Sequence, residues 1–288
     1  MRKTVSAAPI SPGIDYLATI NSHPRDDMIS FEEGPHIYTI NGDSSFTSVT
    51  TWNHSHFEKF NADKIIENMM KSKKWHQSKY FGMTPDEIKN QWNQNGKEAS
   101  EAGTAMHYDI ECYYNDMNVN NDSVEYSYFN NFLKVFEKEN ETRGNNPLTP
   151  YRTEWMVFHE ELKFAGSIDM TFANKDGTIQ IYDWKRCKDI SKSNAWGKFS
   201  TNPIIEHLPD TNYWHYCLQL NTYKAIIEAK YGKTVSDMYL VCLHPDNKRQ
   251  NFERIKVVDL QDEVAELFEE RKQELAAAAE AAAEAAAE

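Results

Sequence analysis

A mixed α and β domain is the fold class this sequence predicts, and three observations carry it. A hairpin turn signal, Asn174-Lys175-Asp176-Gly177, separates two short apolar segments that read as strands. Segments with helix start signals or helical spacing lie before and after that hairpin, so strands and helices are interleaved along the chain. The 288 residues are 40% hydrophobic and 12% aromatic, enough to bury one substantial core with an appendage.

Residues 1–30 are polar, with several prolines and no periodicity, and read as a flexible N-terminal arm. Residues 36–40 and then Asn41-Gly42 read as a strand and a turn. Residues 48–60 carry Trp52, Phe57 and Phe60 and lead to a helix over 62–71. Thr84-Pro85-Asp86-Glu87 supplies an N-cap, a proline at the first helical position and the acid of a capping box. A helix therefore runs from 85 to 114, with a break expected near Asn95-Gly96. A helix over 124–139, a loop over 140–150 and a strand over 152–159 precede the hairpin. Residues 191–209 show no periodicity, and so long a stretch predicts a substrate-facing loop carrying Trp196 and Phe199. Asp210 is a cap for a helix reaching 230, and 238–243 and 252–258 read as closing strands. The alanine-rich end, with Glu280, Glu284 and Glu288 four apart, has no apolar face to bury. The expected organisation is an arm over 1–30, one domain over 31–260 and an acidic, solvated helical tail over 261–288.

The hairpin carries the chemistry. A three-residue loop closed by a left-handed Gly177 pairs Asn174 with Thr178 and sets Asp169 opposite Asp183 on one face. A four-residue loop would make that pair diagonal. Opposed Cβ atoms stand roughly 4.5–5.5 Å apart and like charges there repel, so a cation between the two carboxylates explains the placement. Lys185 shares the face of Asp183, whereas Trp184 points away. Two carboxylates and an ammonium at a strand end suit metal-assisted hydrolysis of a phosphate ester. Exposed Asp and Lys on a solvated hairpin face is the competing reading; the apolar neighbours Ile168, Met170, Ile179 and Ile181 weigh against it. Upstream, Gly103, His107 and Glu111 recur at four-residue spacing on one helix face. Taken alone, a helix histidine such as His107 is more often packed or at the surface than a ligand, and Glu111 fits plain surface as well as a role in orienting His107.

The pattern Gly166-Ser167-Ile168-Asp169, a short hairpin, then Ile181-Tyr182-Asp183-Trp184-Lys185 resembles the core of the PD-(D/E)xK nuclease superfamily. Three more elements are similar to its RecB-like exonuclease branch, in order over roughly residues 45–245: Gly103-Thr104 with His107 and Glu111, Glu154 on the preceding strand, and Gln219 with Tyr223. The resemblance implies an α/β (α+β), restriction-endonuclease-like core, a central mixed β-sheet flanked by helices, here with helical N-terminal additions. It implies that Asp169, Asp183 and His107 bind Mg2+ or Mn2+, as one or two ions. Lys185 would orient the attacking water, Glu154 would join the catalytic acids, and Gln219 and Tyr223 would contact the nucleic-acid backbone. Glu111 would orient His107. Some relatives hold an iron–sulfur cluster on bunched cysteines; Cys112, Cys187, Cys217 and Cys242 are dispersed, so no cluster is expected.

A net charge of −13 is unusual for a nucleic-acid binder. The stretch 261–288 holds nine acids and two bases, which accounts for −7 of it. Phosphate binding must then rest on local basic clusters, at Lys71, Lys73, Lys74 and Lys79 and at Lys185, Arg186, Lys188, Lys192 and Lys198. The second cluster flanks the hairpin, which assigns Arg186 and Lys188 to the substrate; the first equally suits a solvated surface. Dispersed cysteines, no apolar run near the ~20 residues of a membrane helix and no secretory leader point to an intracellular protein. The expected activity is that of a metal-dependent DNA exonuclease with single-strand preference, acting in replication, repair or recombination. An endonuclease or RNA-directed nuclease on the same scaffold, and a non-catalytic nucleic-acid-binding module, are the rivals; protein partners are not indicated.

Overall fold

A computed structural model describes residues 13–195 and 197–287. The strands are β1 (Ile29–Glu32), β2 (Ile37–Ile40), β3 (Thr47–Ser48), β4 (Thr149–His159), β5 (Phe164–Ala173), β6 (Ile179–Lys185), β7 (Val235–Cys242) and β8 (Glu253–Lys256). The helices are α1 (Tyr16–Ile20), α2 (Val49–Ser55), α3 (Ala62–Lys71), α4 (Pro85–Tyr114), α5 (Val124–Thr142), α6 (Asn212–Lys230) and α7 (Gln261–Ala287). β1 and β2 form a separate hairpin. The remaining strands make one mixed sheet, in which β3–β5 and β6–β7 pair in parallel and β4–β5, β5–β6 and β7–β8 antiparallel. The expected mixed sheet flanked by helices is what the chain forms.

The sheet is covered on both faces, so β6 is buried along almost its whole length, Gln180 and Asp183 included. On one face Ile168, Ile179, Ile181 and Leu240 pack with Leu220, Tyr223 and Ile227 of α6. On the other, Met170, Phe172, Tyr182 and Trp184 pack with Met106 and Ile110 of α4 and Phe129 and Phe132 of α5. The hairpin register is the expected one: Ala173 pairs with Ile179, the Asn174 N–H donates to Thr178 O at 2.8 Å, and Gly177 has φ +88°.

Three local expectations change. α4 begins with the Thr84–Glu87 capping box but runs unbroken through Asn95-Gly96. Residues 13–30, expected as arm, instead fold: Arg152 on β4 binds Asp26 at 2.7 Å and the Asn21 carbonyl at 3.1 Å, and Leu17 is buried. Residues 1–12 of that arm lie outside the described residues. The expected tail over 261–288 is packed at its start, where Val264 and Leu267 in the first turns of α7 are core residues, whereas residues 276–286 are exposed. Asp210 does not cap α6; Thr211 holds that position and Asp210 binds the His215 ring at 2.9 Å.

Candidate active site

One edge of β5 is occupied by β4, whereas its other edge is shared. β3 takes Phe164 and Ala165, and β6 joins at Met170. Between those rungs the edge is open, and the open stretch runs from Gly166 to Asp169. By register Glu154 of β4 faces Asp169, and Asp183 of β6 follows the last ladder pair, Met170–Tyr182. Glu154, Asp169 and Asp183 thus form a row across three strands where the sheet loses its regular hydrogen bonding.

Strand alternation breaks at that row. Ile168 packs on the α6 face and Met170 on the α4–α5 face, although two residues apart in one strand should share a face. Glu154 sits at φ +41°, a left-handed conformation rare for a residue with a side chain. The backbone turn at Glu154 interrupts the β4–β5 pairing at Asp169. Asp169 Oδ2 accepts the Trp184 N–H at 2.8 Å, in place of a ladder bond, and Ser167 Oγ donates to Glu154 Oε2 at 2.8 Å.

His107 of α4 reaches the same place. Its Nε2 donates to the Trp184 carbonyl at 3.0 Å, so Nδ1 faces Glu154 Oε1 and Asp169 Oδ2, each 3.6 Å away. His107, Glu154 and Asp169 can bring one ligand atom each within 4.8 Å of one another. Burial works against a charge on His107, but the carboxylates of Asp169 and Glu154 prevail and raise it to about 9. Burial, then the neighbouring Asp183, pushes Asp169 up to about 7 despite His107. Glu111 is likewise raised to about 7, by burial and by Glu154 and Asp15. Gly103, Thr104, His107, Tyr108, Glu111 and Glu154 line a cleft of about 360 Å3 over this group.

Asp183 is 3% exposed, and its Oδ2 lies 2.7 Å from Lys185 Nζ without hydrogen-bond alignment. Desolvation opposes the ammonium, yet Asp183 and Asp169 hold its pKa above the ordinary lysine value. The donor set of His107, Glu154 and Asp169 fits a divalent cation, with one imidazole and two carboxylates, and the Asp183–Lys185 pair lies beside it. The three-donor cluster is His107, Glu154 and Asp169, whereas the sequence reading named Asp183 in the place of Glu154.

The other sequence-predicted residues divide. Gln219 donates to Thr50 Oγ1 at 3.2 Å, tying α6 to the first turn of α2. Tyr223 is buried against Gly166, where a Cβ would stand 2.6 Å from its phenol oxygen, so it packs beneath the strand. Arg186 is committed to Glu125 of α5 at 2.7 Å, whereas Lys188 is exposed beside Asp246. Trp196 lies outside the described residues. Sequence reasoning missed Ser167, Tyr216, whose ring lies 4.7 Å from Lys185 Nζ, and Asn115. Asn115, fully buried at the end of α4, binds Thr153 Oγ1 and the Leu17 N–H, each at 2.9 Å, and so fixes the strand just before Glu154. Its place at the end of a predicted helix was its one visible signal.

No curated protein matches this chain. The family model of the PD-(D/E)XK nuclease superfamily matches residues 79–288, which includes every acid of the row and Lys185. The chain belongs to the PD-(D/E)XK nuclease superfamily, whose members hydrolyse phosphodiester bonds, typically with divalent metal ions.

Proposed function

We propose that this nuclease is a Mg2+- or Mn2+-dependent DNA exonuclease of the RecB-like branch, with a preference for single strands. The observation that carries the reading is the open β5 edge, where His107, Glu154 and Asp169 converge beside the Asp183–Lys185 pair. Those three residues, with Asp183, would hold the ion. A divalent ion bound there would polarise a phosphoryl oxygen and make a water molecule more acidic.

The chain's own residues supply the remainder. The Trp184 carbonyl fixes the His107 tautomer, which keeps Nδ1 toward the acids. Lys185, held charged by Asp183 and Asp169, is no base at neutral pH. Its ammonium orients the incoming water and offsets negative charge that builds on phosphorus in the transition state. Ser167 steadies Glu154, and Tyr223 sets the backbone at Gly166 from beneath. Lys188, exposed near the strand end, supplies contact to phosphate that is independent of sequence. The spacing of Gly103, His107 and Glu111 along α4, with Gln219 and Tyr223 on α6, supports the RecB-like branch and the DNA substrates associated with it. A role in replication, repair or recombination inside the cell follows from that branch.

The deciding experiment uses 5′- and 3′-labelled DNA and RNA, single- and double-stranded, linear and circular, with Mg2+, Mn2+ or a chelator. Progressive shortening of linear single-stranded DNA, with circles spared, is the expected result. Cutting of circles would establish an endonuclease instead, and preferential loss of RNA would change the substrate class.

A further inference from the structure

Two cysteines adjoin the catalytic lysine. Cys187 lies two residues beyond Lys185 and is half-buried, and Cys242 at the end of β7 stands beside Lys185 in the parallel register. Their sulfurs are 3.7 Å apart, and both thiols are free. The Cys242 S–H donates to the Cys187 carbonyl at 2.6 Å, and the Leu243 N–H donates to the Lys185 carbonyl at 2.9 Å. The backbone that carries Lys185 is therefore joined to β7 at the point where the two sulfurs meet. Cys112 and Cys217 are buried on α4 and α6, away from this pair.

We infer that Cys187 and Cys242 form an oxidative modification site, which peroxides convert to a disulfide that switches off the adjacent active site. The regulatory half of this inference rests on the nuclease reading above; the chemical half does not. In the first step a peroxide reacts at the accessible Cys187: an S–O bond forms, the O–O bond breaks and water leaves, giving a sulfenic acid. In the second the Cys242 thiolate attacks that sulfur: the S–S bond forms, the S–O bond breaks, and the departing hydroxide takes up a proton. The two thiols lose two electrons, and hydrogen peroxide is reduced to two waters. The two sulfurs, 3.7 Å apart, are already placed for that attack.

Disulfide sulfurs stand about 2.0 Å apart, so the bond draws the pair together from 3.7 Å and breaks the Cys242–carbonyl hydrogen bond. The segment that moves begins two residues from Lys185, and a displacement near 1 Å of a catalytic group costs roughly tenfold to a hundredfold in rate.

The test treats the full chain with hydrogen peroxide, blocks residual thiols, and maps the digest by mass spectrometry alongside cleavage assays. The expected result is a Cys187–Cys242 crosslink, a loss of cleavage of roughly tenfold or more, and recovery with a dithiol reductant. Cys187→Ser, at the half-buried position, should keep its activity in peroxide. Sulfenic or sulfinic products without the crosslink would overturn the site itself. Formation of the crosslink with undiminished cleavage, or equal inhibition of Cys187→Ser, would overturn the regulation. Absence of cleavage in the untreated protein would count against the nuclease reading, while the mass map still decides the disulfide.

Discussion

Lys185 carries its ammonium 2.7 Å from the Asp183 carboxylate, inside the fold, with Asp169 near enough to add to the attraction. Lysine to methionine at 185 keeps the bulk and removes the charge. It should slow cleavage roughly 10²–10³-fold. It should also destabilise the protein by about 3–5 kcal/mol at pH 7, because Asp183 is left buried and unpaired. Thermal unfolding and single-turnover kinetics on one preparation check both, and a variant with wild-type values in both would remove Lys185 from the site.

Ser167 donates to Glu154 Oε2 and is not itself among the three residues that could hold an ion. Ser167→Ala should weaken Mg2+ or Mn2+ binding about 10–100-fold, with little change in the fold. Calorimetric titration of metal into the protein reads this directly, and unaltered affinity would show that Glu154 is no ligand.

Gly166 and Tyr223 are matched by shape. An alanine Cβ at 166 would stand 2.6 Å from the Tyr223 oxygen and 2.8 Å from Cε1. Both residues are buried, so Gly166→Ala should cost about 1–3 kcal/mol. Adding Tyr223→Leu should return most of that loss in a double-mutant cycle. Simple additivity of the two changes would refute the contact.

Asp169 makes the metal-free protein sensitive to pH. Burial and Asp183 raise this carboxyl to about 7, so the native state holds its proton more tightly than the unfolded chain. Its stabilising contribution is complete below about pH 4 and is lost as pH rises through about 7, an effect on the order of 4 kcal/mol. Urea unfolding in chelator should show wild type losing stability relative to Asp169→Asn between pH 5 and pH 8. Divalent metal should restore wild type at pH 8 and do little at pH 5. Parallel pH profiles for the two proteins would contradict the assignment.

The two halves of α7 should answer differently to change. Leu267→Ala removes a fully buried side chain and should cost about 2–5 kcal/mol. Deleting residues 276–288, of which 276–286 are exposed, should leave the melting temperature nearly unchanged. Equal effects would mean that the whole helix is solvated, or the whole of it packed.

The hairpin register and strands β4 to β8, with Asp169, Asp183 and Lys185 on them, were legible because they follow from short-range rules, whereas β3 was not foreseen and His107 was singled out only by resemblance. Gly177 imposes its turn, and the alternation of Ile179, Ile181 and Asp183 holds along β6. What could not be read was the break in alternation at Glu154 and Asp169. It arises where β3 and β6 share one edge of β5, and no local pattern announces a strand that changes neighbours. That break is why Glu154 joins His107 and Asp169 while Asp183 turns to Lys185. The folded segment 13–30 was hidden for a similar reason, since the partners of Asp26 and Leu17, Arg152 and Asn115, lie far along the chain.

His107, Glu154 and Asp169 belong to segments widely separated in sequence, and they meet only once α4 has docked on β4 and β5. A chain interrupted before the hairpin, or a fragment released by proteolysis, carries at most part of the cutting apparatus.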